Sequence, residues 1–342
     1  MKKLFVLSCV ALATLASCSK SEDIEAPQAQ KEIAFNVATD KSRAPIEGTS
    51  FANDQKIYVS AYNSVSGKYF KGVEFSKDAS ETTWKAGKYW PVNGITSFLA
   101  YAYTPTANSK SNNAAGNDQA QTVIGDPTWG EFYADEVSFN ITNGFFNSDE
   151  DDKQTSTPYV DLVYASGEQA KEKDYKEVSM TFKHTGAWVV FNVKLYKNLD
   201  NAKVTLNSFQ LAKLFRGGKV VVDNTTYAGA KASWDFTGVT AADYGVESFT
   251  AKDLSEENYT FGAIIPEQNQ TAIKFNYTLA SSDTNTPAFT AQTATYEYPL
   301  SRFDKWEMGK KYVYNITINF NEITITPSVA DWESQTATDV KI

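Results

Sequence analysis

The sequence predicts an all-β protein built from sandwiches, and three observations carry that prediction. Apolar residues recur at every second position over short runs, as at Ile33, Phe35 and Val37, which is the period of a strand with one buried face. The runs are separated by breaks rich in Gly, Asn, Pro and Asp, the residues that turns demand. No long segment carries helical periodicity, while aromatic residues make up 14% of the chain, enough to fill cores. Many short strands between such breaks form the pattern of β-sandwiches. A length of 342 residues suggests two domains at about 150 residues each.

The chain opens MKKLFVLSCVALATLASCSK. Lys2 and Lys3 give a positive start. Leu4 to Leu15 is apolar but too short to cross a bilayer, which takes roughly 20 such residues. Residues 1–17 therefore read as a secretory signal peptide and stand outside the fold. Leu15-Ala16-Ser17-Cys18 resembles a bacterial lipobox: small residues admit the peptidase, and the Cys18 thiol takes a diacylglycerol. Cys18 is the expected lipidation site. The other of the two cysteines, Cys9, leaves with the signal. Nothing remains for a disulfide, a thiol nucleophile or a cysteine metal site. Several acyl chains anchor stably where one is marginal. Glu22, Asp23 and Glu25 follow close behind, and such acids resemble the signal that sends some lipoproteins to the outer face of the outer membrane. Residues 18–30 read as a disordered tether.

Order is expected to begin with the strand of Ile33, Phe35 and Val37. IYVSAY at 57–62 alternates Ile57, Val59 and Ala61 with Tyr58, Ser60 and Tyr62. TSFLAYAYTP is closed by Pro105, which cannot donate to a ladder. VSMTF and AWVVFNVKL, separated by KHTG, read as a hairpin. VTLNSFQLA, YTFGAII, AIKFNYTL and YVYNITINF continue the series. The polar stretches 104–121 and 147–158 read as surface loops. A third, SGEQAKEKDYKE at 166–177, reads as the linker between an N-terminal sandwich, 31–170, and a C-terminal one, 171–342.

The chemistry is mostly one of exclusions. A net charge of −9 without basic clusters argues against nucleic acid and against an anionic membrane surface as partner, since phosphates demand Lys and Arg. There is no nucleophile elbow, P-loop or dinucleotide fingerprint. The single histidine, His184, falls at the expected hairpin and reads as structural. The run Asp149-Glu150-Asp151-Asp152 lacks the EF-hand spacing, with Lys153 and Gln154 at the fifth and sixth places. No catalytic residue, cofactor or metal is expected, and the chain is not read as an enzyme. Tyr58, Tyr62, Tyr101 and Tyr103 have two readings, a sugar platform or cross-strand packing.

YWPVNGITSFLAYAYTP, residues 89–105, resembles a signature of the fimbrillin family, lipoprotein subunits of type V pili from anaerobic Gram-negative bacteria. Further pieces follow in the family's order: Ile33 and Phe35 with Arg43-Ala44 and Phe51, then IYVSAY, and TTWKAGKYWP with Trp84 and Trp90. YVDLVYA, MTFKHTGAWVVFNV, WEMGKKYVYNITI and ITITPSVADWES complete the set. The resemblance implies two tandem transthyretin-like β-sandwich domains and a place on the cell surface, in a fimbrium. It implies that a protease removes the lipidated start together with the first strand. A strand from the next subunit, usually from its C-terminal segment, then fills the groove.

Carried onto this chain, cleavage falls between Arg43 and Ala44, in the polar stretch DKSRAPIEG. It would release Cys18 and the strand of Ile33, Phe35 and Val37 together. The other reading keeps Arg43 as an ordinary loop arginine and the protein on its lipid. For the donor, Val340 and Ile342 are the favoured residues, while Ile323 to Trp332 is expected to complete its own sandwich. The implied partners are other fimbrial subunits, the outer membrane through Cys18, and surface ligands of a host or another bacterium. The alternative, from a different class, is a surface glycan-binding lipoprotein of a polysaccharide uptake system.

Overall fold

The computed structural model describes residues 31–39, 42–43, 47–48, 51, 56–104, 120–124, 135–140, 146–147, 161–196, 201–215, 217–223, 231–245, 251–255, 258–285, 287–300, 304–318 and 323–331. Among them every regular element is a strand. The first half contributes β1 (Phe35–Thr39), β2 (Ser42–Arg43), β3 (Glu47–Gly48), β4 (Ile57–Asn63), β5 (Gly67–Phe75) and β6 (Thr96–Thr104). It continues with β7 (Ala120–Ile124), β8 (Asp135–Asn140), β9 (Phe146–Asn147), β10 (Asp161–Glu168) and β11 (Val178–His184). The second half begins with β12 (Gly186–Leu195), β13 (Ala202–Leu214), β14 (Gly217–Asp223), β15 (Lys231–Asp235), β16 (Ala242–Gly245) and β17 (Lys252–Asp253). It ends with β18 (Tyr259–Pro266), β19 (Gln268–Asn269), β20 (Ala272–Ser281), β21 (Gln292–Pro299), β22 (Lys305–Trp306), β23 (Lys310–Ile318) and β24 (Ile323–Asp331).

A six-stranded sheet has the order β1-β11-β10-β6-β4-β5. Its neighbours are antiparallel except β1, which runs parallel to β11. The buried residues Ile33, Phe35, Ile57, Val59, Phe75, Phe98, Val163 and Phe182 make the first core with Trp84 and Trp90. A second, larger core lies between the sheets β24-β23-β12-β18-β9 and β16-β13-β20-β21. The hairpin of β14 and β15, whose sheet continues to β8 and β7, adds Val220 and Val222 to it. The strands alternate as their sequences do: β11 reads buried and exposed in strict turn, with Val178, Met180 and Phe182 inward. β6 is apolar on both faces. Phe98, Ala100 and Ala102 enter the first core, while Leu99 enters the second and Tyr101 packs against it. That is why TSFLAYAY reads as a near-continuous apolar run rather than an alternating one.

Two expectations need correction. β11 and β12, read as the arms of a hairpin, do not pair. β11 joins β1 and β10, and β12 joins β18 and β23. Each strand has the right period, but their apolar faces belong to different cores, and the chain crosses from one to the other at Thr185. His184 accordingly lies at a strand end, 5% exposed and in register with Val163, rather than in a turn. The stretch 166–177, read as a linker, connects two neighbouring strands of one sheet, β10 and β11. It is fastened to the loop before β6: the Gly94 N–H donates to Glu172 Oε1 at 2.9 Å and the Thr96 N–H to Gln169 Oε1 at 3.2 Å. Gly94 has φ +82° and abuts Asn63 and Ser64, so any Cβ there would be both strained and crowded.

Candidate functional site

The segment Lys31–Thr39 is held on two sides. On one, β1 pairs with β11 from Phe35 opposite Val178 to Thr39 opposite Phe182, and the Val178 N–H donates to the Ala34 carbonyl at 3.0 Å. On the other stands the segment 84–90. Phe35 and Trp84 exchange backbone bonds of 3.1 and 3.0 Å, the Ile33 N–H reaches the Lys88 carbonyl at 2.7 Å, and the Trp90 N–H reaches the Lys31 carbonyl at 2.9 Å. The same segment pairs Lys85 with Ser76, just beyond β5. It thus links the two edges of the six-stranded sheet, and residues 31–39 form the stave that closes the wall around the first core.

The inward side chains of this stave fall at every second position, although Ala34 between Ile33 and Phe35 is buried as well. Ile33 and Phe35 are fully buried, Thr39 is buried, and Val37 packs against the core from a half-buried position. Phe35 meets Phe75 and Phe98 edge to face, with centroids 4.9 and 5.0 Å apart. Phe98 in turn meets Trp90 at 5.7 Å. The Trp90 Nε1–H is buried without a hydrogen-bond partner. Outward, Asn36 donates to Glu177 Oε2 at 3.3 Å, and Glu32 accepts from the Gly87 N–H at 2.7 Å. Gly87 has φ +63°, a left-handed position where 84–90 bulges while running antiparallel along the stave. Lys85 is held above its ordinary pKa, first by its hydrogen bond to Glu81 at 2.7 Å.

Removing residues 31–39 would leave a slot with both walls unpaired. Burying Ile33 and Phe35 is worth about 2–3 kcal/mol each. Each backbone group left buried without a partner costs about 1–3 kcal/mol. Only another extended strand with apolar side chains restores both terms. Phe51, in contrast, lies behind Arg43 in the chain and packs on Phe182 at 5.0 Å and Trp84 at 6.3 Å. It would stay with the body if residues 31–39 were removed.

Arg43 ends β2 and pairs with Glu47 of β3, so it sits in a two-residue ladder rather than an unpaired turn. Cys18, Ala44, Val340 and Ile342 lie outside the described residues. The segment Ile323–Asp331 pairs antiparallel with β23 along its whole length and is the edge strand of its own sheet. Of the tyrosines with two readings, Tyr62 and Tyr101 lie against the second core and Tyr58 stacks on Tyr101 at 5.2 Å, which favours cross-strand packing; the Tyr103 side chain lies outside the described residues. Sequence reasoning missed the second wall. Trp84 and Trp90 were landmarks with no assigned role, and the turn signal at Ala86-Gly87, between a bridge to Ser76 and a bridge to Glu32, was the available clue.

The model of the family described as fimbrillin-like matches residues 42–332. The chain belongs to the fimbrillin-like family. It is thus a subunit of the fimbrial kind, a protein of cell-surface appendages built from many chains, and its role is structural. No curated protein matches it. Similar solved structures include a fimbrial protein from Bacteroides vulgatus, 17% identical, covering 88% of this chain and 99% of its own, with a TM-score of 0.48. A fimbrial assembly protein from Parabacteroides distasonis is 13% identical over 88% of this chain and 98% of its own, with a TM-score of 0.42. The fimbrial anchor protein Mfa2 from Porphyromonas gingivalis is 10% identical over 88% and 97%, with a TM-score of 0.38.

Proposed function

We propose that this fimbrillin-like chain is a polymerising subunit whose first strand is a removable placeholder. It travels as a lipoprotein on Cys18 to the outer face of the outer membrane. An arginine-specific protease cuts between Arg43 and Ala44 and takes away the lipid and the stave of Ile33, Phe35 and Val37 together. A strand from the next subunit, carrying Val340 and Ile342, fills the slot. The two cores are the two tandem sandwich domains, meeting at Thr185. The finished fimbrium carries adhesion to a host or bacterial surface.

One observation supports this reading above the others: residues 31–39 are hydrogen-bonded on both flanks and fully bury Ile33 and Phe35, yet stand upstream of Arg43. A strand placed there for stability alone need not be severable from the rest of its core. The body downstream keeps its own wedge, Phe51. The test is digestion of the exported protein with an arginine-specific protease, followed by electrophoresis in SDS without heating. Oligomers resistant to SDS are expected from the wild type and none from Arg43→Ala. A protein cut after Arg43 that stays monomeric at high concentration sinks the proposal.

A further inference from the structure

Among the described residues eight large hydrophobic side chains are exposed, and four of them, Val65, Tyr69, Tyr89 and Val92, gather on one rim of the first core. Hydrogen bonds fasten the loops that carry them. Asn63 Oδ1 accepts from the N–H groups of Val65 and Ser66, both at 3.0 Å, and its amide donates to the Asn93 carbonyl at 3.0 Å. Ser64 and Ile95 are joined by two bonds of 2.9 Å, and Val65 lies against Gly94. Tyr69 Oη donates to the Tyr89 carbonyl at 2.7 Å, and Tyr175 Oη to the Val92 carbonyl at 3.4 Å. A turn already ordered by Asn63 gains little packing from a valine that is 73% exposed, nor does the loop after Pro91 from one that is 62% exposed.

The entry of the chain says what lies against this rim. The Trp90 N–H donates to the Lys31 carbonyl at 2.9 Å, and Glu32 bridges to Tyr89, so the chain enters the first core beside the exposed tyrosine. Thirteen residues, 18–30, separate that entry from Cys18. They span at most about 45 Å and, as a flexible coil, about 20 Å on average. Resting on the reading of Cys18 as lipidated, we propose that this rim is a membrane-contact surface. Val65, Tyr69, Tyr89 and Val92 settle into the headgroup layer of the bilayer that holds the protein's own acyl chains.

The chemistry of the rim suits that layer. Tyrosine is enriched where one end of the side chain is apolar and the other wet, and valines beside it enter the acyl boundary. The Tyr69 hydroxyl already has its partner in the protein, so its ring can leave water without losing a hydrogen bond. Charge permits the contact. The chain has a net charge of −9, yet Lys31, Glu32 and the stretches 64–69, 88–95 and 168–177 together hold six lysines against five carboxylates. Lysine stems can lie along the apolar patch with their amines at the phosphates. Four such side chains would hold a free protein on a membrane only weakly. Tethering changes the arithmetic: a short flexible linker gives an effective concentration of about a millimolar, so a contact of about millimolar affinity is made roughly half the time.

The mature chain keeps only Cys18, which the lipid consumes, so one added cysteine can be labelled. Val65→Cys or Val92→Cys carries an environment-sensitive fluorophore in the full lipidated chain, reconstituted in vesicles of phosphatidylethanolamine and phosphatidylglycerol. Thr284→Cys, exposed in the bend after β20, is the control. At positions 65 and 92 emission should shift to the blue and quenching by aqueous iodide should fall about twofold, as half-occupancy of the contact implies. Position 284 should show neither. Val65→Ser with Tyr89→Ser should restore the quenching at position 92 while the protein stays on the vesicles. Mass spectrometry of Cys18 separates the failures. An acylated, vesicle-bound protein quenched in full at 65 and 92 overturns the membrane contact and leaves the lipoprotein reading standing. Shielding that vanishes when the protein is diluted in lipid overturns it in favour of contact between copies. An unacylated Cys18 overturns both.

Discussion

Phe35 stands where three physical terms meet. Its ring is fully buried, it touches Phe75 and Phe98 edge to face, and its backbone is bonded to Trp84 in both directions. Phe35→Ala should therefore cost the uncut protein about 3–5 kcal/mol, the usual range for emptying an aromatic core site. Urea denaturation of the uncut chain measures it. The same substitution should leave the oligomer formed after cleavage unchanged, because Phe35 is no longer in it. An effect of equal size on both forms would mean that residues 31–39 stay with the body. Much at this scale was legible, because alternation over Ile33, Phe35 and Val37 needs only the period of a strand. The partner was not: nothing in KEIAFNVAT says that Trp84 will be its neighbour, 49 residues away in the chain.

At the scale of elements, period was readable and pairing was not. VSMTF and AWVVFNVKL each announce a strand, and each is one. Whether two successive strands turn back on each other depends on which core each apolar face enters, and here β11 and β12 enter different ones. The bulge in β13 was hidden for the same reason. The register with β16 shifts between Leu211 and Leu214, and Lys213 takes φ 55°. Asp243 fastens that irregularity. Its carboxyl is held below its usual pKa, chiefly by the Lys213 N–H at 3.1 Å and then by the Lys274 amine at 3.2 Å. A carboxylate with a depressed folded pKa adds stability above its unfolded pKa, about 3.9 for Asp, and loses it as pH falls through the folded value. With the side chain 40% exposed, solvent screening keeps the contribution under about 1 kcal/mol. Asp243→Asn should therefore be less stable than the wild type at pH 6 and converge with it at acid pH, by urea titration across that range. A constant difference at all pH values would assign the effect to packing.

Among the described residues the molecule has two cores sharing a seam, and the seam bears on how the proposed emptying of the slot would be survived. On β6 and β10 successive side chains face opposite ways: Phe98, Ala100 and Val163 toward the slot, Leu99, Leu162 and Tyr164 toward the second core. The hairpin of β14 and β15 covers that second face. The Ala232 N–H donates to Tyr164 Oη at 3.1 Å, and Trp234 Nε1 donates to the Thr185 carbonyl at 2.5 Å. Burial lifts the Tyr164 pKa, so this hydroxyl stays protonated. If β1 were removed as proposed, the first sheet would lose support on its inner face but keep the contacts of its outer face with the second core. The seam would then hold the strands in place until a donor fills the proposed slot. Trp234→Ala removes the indole from the seam and its bond to Thr185. In the uncut protein the closed first core compensates, and the loss should be about 2–4 kcal/mol without a change of fold. In the protein cut after Arg43 the same loss falls on a sheet already short of one wall. Its first half should then be digested at internal lysines within the time that leaves the cut wild type intact. Mass spectrometry of a timed digest separates the outcomes: fragments confined to residues before Thr185 support a stabilising seam, and equal survival of the two cut proteins rules it out.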